Sequence, residues 1–294
     1  MRSSSDASSR QLTLALALLQ GVGGKTLSRI VTRNVLLGRE PKEFLALSRE
    51  VLIEDYGLPP KLADLWVSTR TEAMDTAARV LDHLRTAGIS FATTVDAHYP
   101  ARIEEFTAET PGILFFYGNT KLIESATFAV MSSRKSPTAF LDQIERAAEE
   151  GVLRGEVLVA GHDTPEYQRS AIVPLRWGAP RIIVLDRGFF QALGKDLTDE
   201  PFRAARLWRF QFDPKTDLAL SAVNPLRDYH RNANRDRDRL VAALSLRVDF
   251  AQVSPEGNMA QLVRATLAAG RPVRISDLNP EAREYYRSGA QPLT

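Results

Sequence analysis

ILFFYGNTKLIESATFAVMSSRKSP, residues Ile113–Pro137, is the stretch of this sequence that decides its fold. It opens with an apolar, aromatic run that stops at Gly118-Asn119, a pair typical of turns. A second apolar run, Phe128–Met131, ends abruptly in the polar and basic segment Ser132–Pro137, after which a helical pattern begins. A buried strand followed by a small turn and a helix predicts the first unit of an α/β sheet.

The turn after the second apolar run has the composition of an anion-binding site. Two hydroxyls, a guanidinium and an ammonium group, on Ser132, Ser133, Arg134 and Lys135, can all donate hydrogen bonds to a phosphate oxygen. Free N–H groups at the start of the next helix would face the same anion. The alternative is a solvated loop that happens to be basic, and the pattern alone does not separate the two.

Downstream of this turn, short apolar runs alternate with helical patterns. The predicted strands are residues 156–161, 181–186, 218–223, 247–253 and 272–275, and the predicted helices are 138–154, 166–177, 235–246 and 258–269. Such alternation is typical of a parallel sheet with right-handed crossovers. We therefore expect an α/β fold with a Rossmann-like, mostly parallel sheet.

Upstream, the patterns are helical until a strand-like alternation at residues 89–95. The polar residues 1–10 are expected to form a flexible lead, residues 11–88 a small all-helical domain and residues 89–294 the Rossmann-like domain. The segment Gly21–Gly24, followed by Lys25-Thr26, resembles half of a helix-hairpin-helix motif, as in SAM-like domains, whose N–H groups can hold a DNA phosphate. A tight turn between two helices also needs small residues here, and we favour that interpretation.

Composition narrows the class of protein further. The 294 residues include 44% hydrophobic side chains and no Cys, so disulfides, thiolate catalysis and cysteine-ligated metals are excluded. No apolar run approaches the ~20 residues of a membrane span, and no signal sequence is apparent, so a cytoplasmic location is expected.

Positive charge is concentrated in one segment of a nearly neutral chain. The net charge is only +2, yet residues 202–247 contain ten Arg or Lys against five Asp. Arg235 and Arg239 are four residues apart and share a helical face, whereas Arg237 points elsewhere. The segment fits phosphate contacts with Tyr229 as a stacking partner, or a surface helix whose Arg and Asp pair with each other.

The order of these pieces resembles the DNA-processing protein A family (DprA, also called Smf). The resemblance runs from about Leu12 to Leu293, and its motifs are Tyr99-Pro100 with Ile113–Asn119, Met131–Lys135, Arg237–Ser245, Glu256–Asn258 and Arg287–Ala290. Met131–Lys135 resembles the family's V-G-S-R-K turn, and Arg237–Ser245 its R-N-R-L-I-A-G-L-S helix. Each motif is weak alone, and the ordered set is more specific.

This resemblance implies a Rossmann-like DprA and LOG-like sheet behind the helical domain, single-stranded DNA binding, loading of a RecA-type recombinase and a homodimer. Carried over residue by residue, it implies a nucleic-acid site made of Ser132, Ser133, Arg134, Lys135, Arg231, Asn232, Arg235, Arg237, Arg239, Gly257 and Asn258. No cofactor is implied.

The sequence also departs from the family pattern. Ser132 replaces the first glycine of the turn, Gly161–Pro165 replaces a longer loop that carries an Arg, and Asp238 replaces the Asn of R-N-R. A winged-helix domain is not expected after the sheet. These departures support an alternative function as an antidote or partner in a toxin–antitoxin or phage-defence module.

Enzymatic activity is not expected, although related phosphoribohydrolases share the wider fold. Their glycine-rich loop with a following Glu is absent from residues 254–261. His162 and Asp163 end a predicted strand, where sites form, but neighbours rarely make an acid–base pair, and we interpret Asp163 as a helix cap. The four His show no metal-ligand spacing, so no catalytic residue and no metal are predicted, with a nucleotide-processing enzyme as the remaining alternative.

Overall fold

A computed structural model of the chain describes residues 4–107, 110–225 and 232–293. The chain divides into two compact units, which we name the helical unit (Met1–Tyr99 with Glu109–Leu114) and the sheet unit (Pro100–Ala108 with Phe115–Thr294). The division therefore differs from the expected boundary at residue 88, because the first strand also belongs to the helical unit.

The helical unit consists of five helices and a short strand among its described residues. They are α1 (Ser4–Leu18), α2 (Gly24–Leu37), α3 (Pro41–Leu45), α4 (Arg49–Glu54), α5 (Pro60–Thr86) and β1 (Ser90–Thr93). Helix α1 begins at Ser4, so the lead expected over residues 1–10 is largely helical, which corrects that prediction. The ring of Phe44 lies 5.2 Å from that of Tyr56 and 5.8 Å from that of Trp66, all three buried.

The turn between α1 and α2 is tight because the backbone packs closely there. A Cβ atom on Gly24 would lie 2.2 Å from the carbonyl oxygen of Thr110 and 2.6 Å from the nitrogen of Gly112. Gly21 adopts a φ of +90°, which favours glycine. Packing therefore accounts for these glycines, and phosphate binding by this turn stays a prediction.

The sheet unit alternates strands with helices. Its elements, with β2 crossing in from the helical unit, are α6 (Ala101–Phe106), β2 (Ile113–Gly118), β3 (Thr127–Met131), α7 (Thr138–Leu153), β4 (Val157–Gly161), α8 (Pro165–Ala171), α9 (Val173–Arg176), β5 (Arg181–Leu185), α10 (Phe189–Ala192), β6 (Leu218–Ser221), α11 (Ala233–Leu244), β7 (Arg247–Phe250), α12 (Asn258–Ala268), β8 (Val273–Ser276), α13 (Ala282–Arg287) and β9 (Gln291–Leu293). Two 3₁₀ turns, Thr120–Glu124 and Arg203–Leu207, connect them.

The strands of this unit follow the order β2-β6-β5-β4-β3-β7-β8-β9. The neighbouring pairs from β6 through β9 are parallel, whereas β2 runs antiparallel to β6. The strands β3, β4 and β5 are buried along their whole length, as strands covered on both faces must be. The predicted α/β fold with a mostly parallel sheet is confirmed.

This strand order places a topological switch point at β3. Strand β4 follows β3 in sequence and lies on one side of it, whereas β7 lies on the other. Ligands of open α/β sheets bind outside the carboxyl ends of the strands at such a point. The turn Ser132–Pro137 directly follows β3 and therefore stands at this position.

The structure differs from the predicted elements in several places, among them one divided helix and one additional strand. The helix expected over residues 166–177 is divided into α8 and α9 at Ile172, since the ring of Pro174 cannot continue a helical hydrogen-bond ladder. Strand β9 was not predicted, because three residues give no periodicity. Within the described residues, no helix combines the length and apolarity that a membrane crossing requires.

Candidate nucleic-acid interface

The turn after β3 is held by its first two serines. Ser132 Oγ accepts a hydrogen bond from the backbone N–H of Gln252 at 3.1 Å, and Ser133 Oγ accepts one from Ser254 N–H at 2.9 Å. Ser133 N–H in turn donates to the carbonyl of Gln252 at 2.8 Å. The hydroxyls predicted as phosphate donors therefore tie this turn to the loop after β7.

The same turn also engages a carboxylate. Ser136 N–H, just before α7, donates to Glu166 Oε1 at 3.1 Å. Glu166 is only 4% exposed, and its second oxygen, Oε2, has no partner within the described structure. A protein carboxylate thus lies where the start of the helix would offer an N–H group to a phosphate.

Arg134 and Lys135 remain directed to the surface of this turn. Both are exposed, and the described part of the chain gives neither of them an ion pair or side-chain hydrogen bond. Lys135 has a φ of +61°, in the left-handed region that non-glycine residues rarely adopt. Asp163 after β4 (φ +73°) and Glu256 after β7 (φ +55°) share this conformation, so unusual backbone is concentrated at the carboxyl edge of the sheet.

These cations line an open cavity of about 710 Å³ beside the switch point. Its walls are formed by the turn after β3, the loop after β4, Arg187 after β5, and the first turn of α11. The lining residues are Arg134, Lys135, Ser136, Leu141, Asp163, Thr164, Pro165, Glu166, Arg187 and Asn234. Side chains from four separate parts of the sequence therefore meet at one edge of the sheet.

Arg187 is a third cation in the cavity, and it is paired. Its Nη2 lies 2.6 Å from Asp163 Oδ2, and its Nε lies 2.9 Å from Asp186 Oδ1. The prediction that Asp163 caps the next helix is wrong, because Thr164 Oγ1 accepts from Tyr167 N–H at 3.2 Å instead. Asp163 therefore neutralises Arg187.

Arg237, predicted to contact nucleic acid, is buried. Its guanidinium donates to Asp238 Oδ1 at 2.8 Å, to the carbonyl oxygen of His162, and to Asp186 at 3.4 Å. Its Cζ lies 5.0 Å from the centre of the Tyr167 ring, and the residue is only 2% exposed. The helical register places Arg237 on the face of α11 that packs inward, so its assignment as a surface phosphate ligand is corrected.

Asp238 is satisfied by three donors and not by an external ligand. It accepts from Arg237, from Tyr167 OH at 2.9 Å and from Asn258 Nδ2 at 2.9 Å. Burial, followed by the adjacent carboxylate of Asp238, raises the pKa of Tyr167 well above its ordinary value, so the phenol stays a proton donor. Asp238 and Asn258 therefore form hydrogen bonds within the protein. Asn258 is also one of the residues predicted for the nucleic-acid site.

The remaining predicted residues are distributed along the rim. Asn232 and Arg235 are exposed at the start of α11, whereas Arg239 is partly buried. Gly257 is the N-cap residue of α12 and is partly exposed. Arg231 and Tyr229 lie outside the described residues.

His162 is paired with Asp186 and not with its neighbour Asp163. Its Nδ1 lies 3.2 Å from Asp186 Oδ1, and both side chains are buried. Burial alone would raise the pKa of Asp186, but hydrogen bonds with His162 and Arg187 outweigh it, so the pKa lies well below its ordinary value. Within the described ranges no cluster of three His, Asp or Glu could hold a metal ion.

Sequence reasoning missed Arg187, Glu166 and Asn234 as lining residues. Arg187 stands directly beyond a predicted strand, and the rule that ligands bind at the carboxyl ends of parallel strands could have identified it. Glu166 and Asn234 carry no such signal, because their place depends on how α8 and α11 pack.

Comparisons with known proteins were made for sequence and for structure. No protein-family model matches the chain, and no curated protein sequence matches it. Among solved structures, DNA processing protein A (DprA) from Streptococcus pneumoniae matches with a TM-score of 0.70 at 18% identity, over 97% of this chain and 93% of that one. DNA processing protein A from Helicobacter pylori, a structure described for its single-stranded DNA binding mode, matches with a TM-score of 0.54 at 17% identity, over 70% of this chain and 90% of that one.

Proposed function

We propose that this chain, which has the fold of the DprA structures, binds single-stranded DNA and catalyses no reaction. One observation carries the proposal. Arg134 and Lys135 stand exposed and without a described partner at the switch point of the sheet, on the wall of a cavity of about 710 Å³. The Helicobacter pylori structure is described for its single-stranded DNA binding mode, which supports the choice of ligand.

The charge balance of the cavity favours an anion. Its lining contains three cations, Arg134, Lys135 and Arg187, against two carboxylates, and the carboxylate of Asp163 already pairs with Arg187. Arg134 and Lys135 therefore leave a local excess of positive charge. Two such cationic side chains can neutralise phosphate groups, and the backbone of a nucleic-acid strand carries a row of phosphates.

The first turn of α11 extends this surface. Asn234 lines the cavity, and Asn232 and Arg235 are exposed close to it in sequence. The proposed interface therefore comprises Arg134, Lys135, Asn232, Asn234 and Arg235. It omits Arg237, which is buried, while Arg231 stays a prediction from the sequence resemblance.

Phosphate contacts of this kind give affinity that depends on salt and little on base sequence. The proposal assigns no catalytic step to His162, because its ring is buried and paired with Asp186 and is therefore not available to a substrate as an acid or base. Delivery of the bound strand to a RecA-type recombinase, and assembly as a homodimer, are further parts of the proposal that rest on the sequence resemblance.

The test is fluorescence anisotropy of a labelled poly-dT oligonucleotide across a salt series. We expect binding that weakens steeply with salt, and about tenfold weaker binding for Arg134→Ala combined with Lys135→Ala. Loss of two contacts should also lower the salt slope by about 1.4, at ~0.7 for each contact to a single strand.

The matched control is Lys61→Ala combined with Arg264→Ala, which removes an exposed lysine and an exposed arginine outside the cavity lining. Equal weakening by both double variants would show that only net charge matters and would contradict this interface. No binding by the unaltered protein at low salt would overturn the proposed function and favour a protein partner, such as the toxin of an antidote pair.

A further inference from the structure

The segment Arg203–Phe210, sequence RAARLWRF, is a second basic and aromatic surface of the sheet unit. We name it the aromatic–arginine segment. Leu207 is 83% exposed, Phe210 73% and Trp208 43%, which is unusual for large apolar side chains. The segment contains three arginines and no acidic residue.

One of its three arginines forms an ion pair with a buried carboxylate, and the other two are exposed to solvent. Arg209 forms an ion pair with the buried Asp217, which also pairs with Arg181 at 2.8 Å. Within the described ranges, Arg206 donates only to the carbonyl oxygen of Glu200, at 3.4 Å. Arg203 is exposed and has no partner within the described structure, so positive charge reaches solvent beside the aromatic rings.

The segment is held firmly enough to present rigid rings. Phe202 and Ala205 are buried, and the anchoring ion pairs fix the chain to the sheet. The guanidinium carbon of Arg176 lies 5.0 Å from the centre of the Trp208 ring, which holds the indole plane on one side. Arg176 itself is paired with Glu145, so this contact adds no net charge to the segment.

The aromatic–arginine segment and the cavity lie at opposite ends of the same strands. Arg181 is the first residue of β5, and Asp217 directly precedes β6, so the segment is attached at the amino ends. The cavity is lined by residues that follow the carboxyl ends of β3, β4 and β5. A five-residue strand such as β5 spans about 17 Å, at ~3.3 Å per residue.

We infer that the aromatic–arginine segment binds bases of a single strand beyond the nucleotides held at the cavity, with Trp208 and Phe210 as stacking surfaces. The inference rests on the proposed function. Proteins that bind single strands without sequence preference combine cationic side chains with aromatic rings, because every base has a π face. The lack of any acidic residue in the segment favours an anionic ligand over an apolar protein partner or a second copy of this chain, and the exposed rings of Trp208 and Phe210 favour bases over acidic side chains.

The experiment compares a short labelled oligo-dT of about 6 nucleotides with a long one of about 25, chosen to fill the cavity alone or both surfaces. For Trp208→Ala we expect unchanged affinity for the short oligonucleotide and at least about fivefold weaker binding of the long one. Trp208→Phe should keep most of the affinity for the long oligonucleotide, because a ring remains.

Trp177→Ala is the matched control, since Trp177 is 52% exposed but lies outside the segment and donates to Glu149. It should bind both oligonucleotides as the unaltered protein does. The long oligonucleotide should also quench tryptophan emission, and this quenching should diminish in Trp208→Phe, because Trp66 is buried.

Two outcomes would overturn the inference and leave the proposed function intact. One is that Trp208→Ala binds both lengths as the unaltered protein does, while Arg134→Ala with Lys135→Ala weakens both. The other is that Trp208→Ala abolishes a concentration-dependent dimer in sedimentation velocity without changing DNA binding, which would assign the segment to a second copy. If the unaltered protein binds neither length, both this inference and the proposed function fail.

Discussion

Arg134 and Arg237 lie at the same edge of one sheet, and their surroundings are opposite. Arg134 is exposed in a turn and has no partner within the described residues, whereas Arg237 is 2% exposed and contacts two carboxylates and a carbonyl oxygen. An unpaired surface cation can neutralise a ligand at small cost to folding. A buried and paired cation holds the protein together, and its removal leaves charges uncompensated.

The largest effect is expected at the buried arginine. Arg237→Ala should lower the free energy of unfolding by about 3–5 kcal/mol, because Asp238 and Asp186 would lose their buried partner. Urea denaturation followed by circular dichroism measures it. Adding Asp238→Asn to the Arg237→Ala variant should recover part of the loss, and a single-variant change below about 1 kcal/mol would contradict the buried role.

Acid should weaken the same network through Asp186. Because the pKa of Asp186 is lower in the folded state, its contribution to stability is fully present above the unfolded-state pKa of about 3.9. That contribution is lost progressively as the pH falls below this value toward the folded-state pKa. Denaturation measured from about pH 5 to pH 2 should therefore show a shallower decline of stability for Asp186→Asn than for the unaltered protein. Equal declines of stability in the two proteins would show that Asp186 is not the source of the acid sensitivity.

A smaller effect, on binding and not on folding, is expected at Glu166. Glu166→Gln removes a negative charge from the cavity lining while its amide oxygen can still accept the N–H of Ser136. Binding of poly-dT should strengthen about threefold at low salt, with the difference shrinking as salt screens the charge. Unchanged affinity at every salt concentration would place the strand away from this wall.

The smallest effect is expected on the stability of the fold when the exposed pair Arg134 and Lys135 is replaced. Arg134→Ala with Lys135→Ala should change the free energy of unfolding by less than about 0.5 kcal/mol, because neither side chain has a described partner to lose. The same urea experiment measures it. A loss comparable to that of Arg237→Ala would show that the two regions do not differ as described.

The strands and the turn could be predicted because their signals are local. The apolar run Phe128–Met131 and the polar segment that follows are adjacent in sequence, and a parallel sheet brings such junctions to one edge. The length and order of the apolar runs therefore predicted the sheet and the position of the turn at its carboxyl edge.

The helical spacing predicted that Arg237 points away from Arg235, but which of the two is buried could not be predicted in this way. Arg235 and Arg237 carry the same side chain two residues apart, yet one is exposed and the other buried. Their difference depends on His162 and Asp186, which are separated from Arg237 by 75 and 51 positions and meet it only after the sheet has formed. The serines of the turn illustrate the same limit, since their partners come from the loop after β7.

The antiparallel strand β2 has a consequence for how the chain folds during synthesis. Phe115 pairs with Ser221, and Gly118 with Leu218, so β2 is made about a hundred residues before its partner β6. At ~5–20 residues per second, that interval lasts on the order of 5–20 s. During that interval the edge of β2 that pairs with β6 has no strand partner, and an unpaired edge of the aromatic stretch ILFFY is a site where aggregation can start.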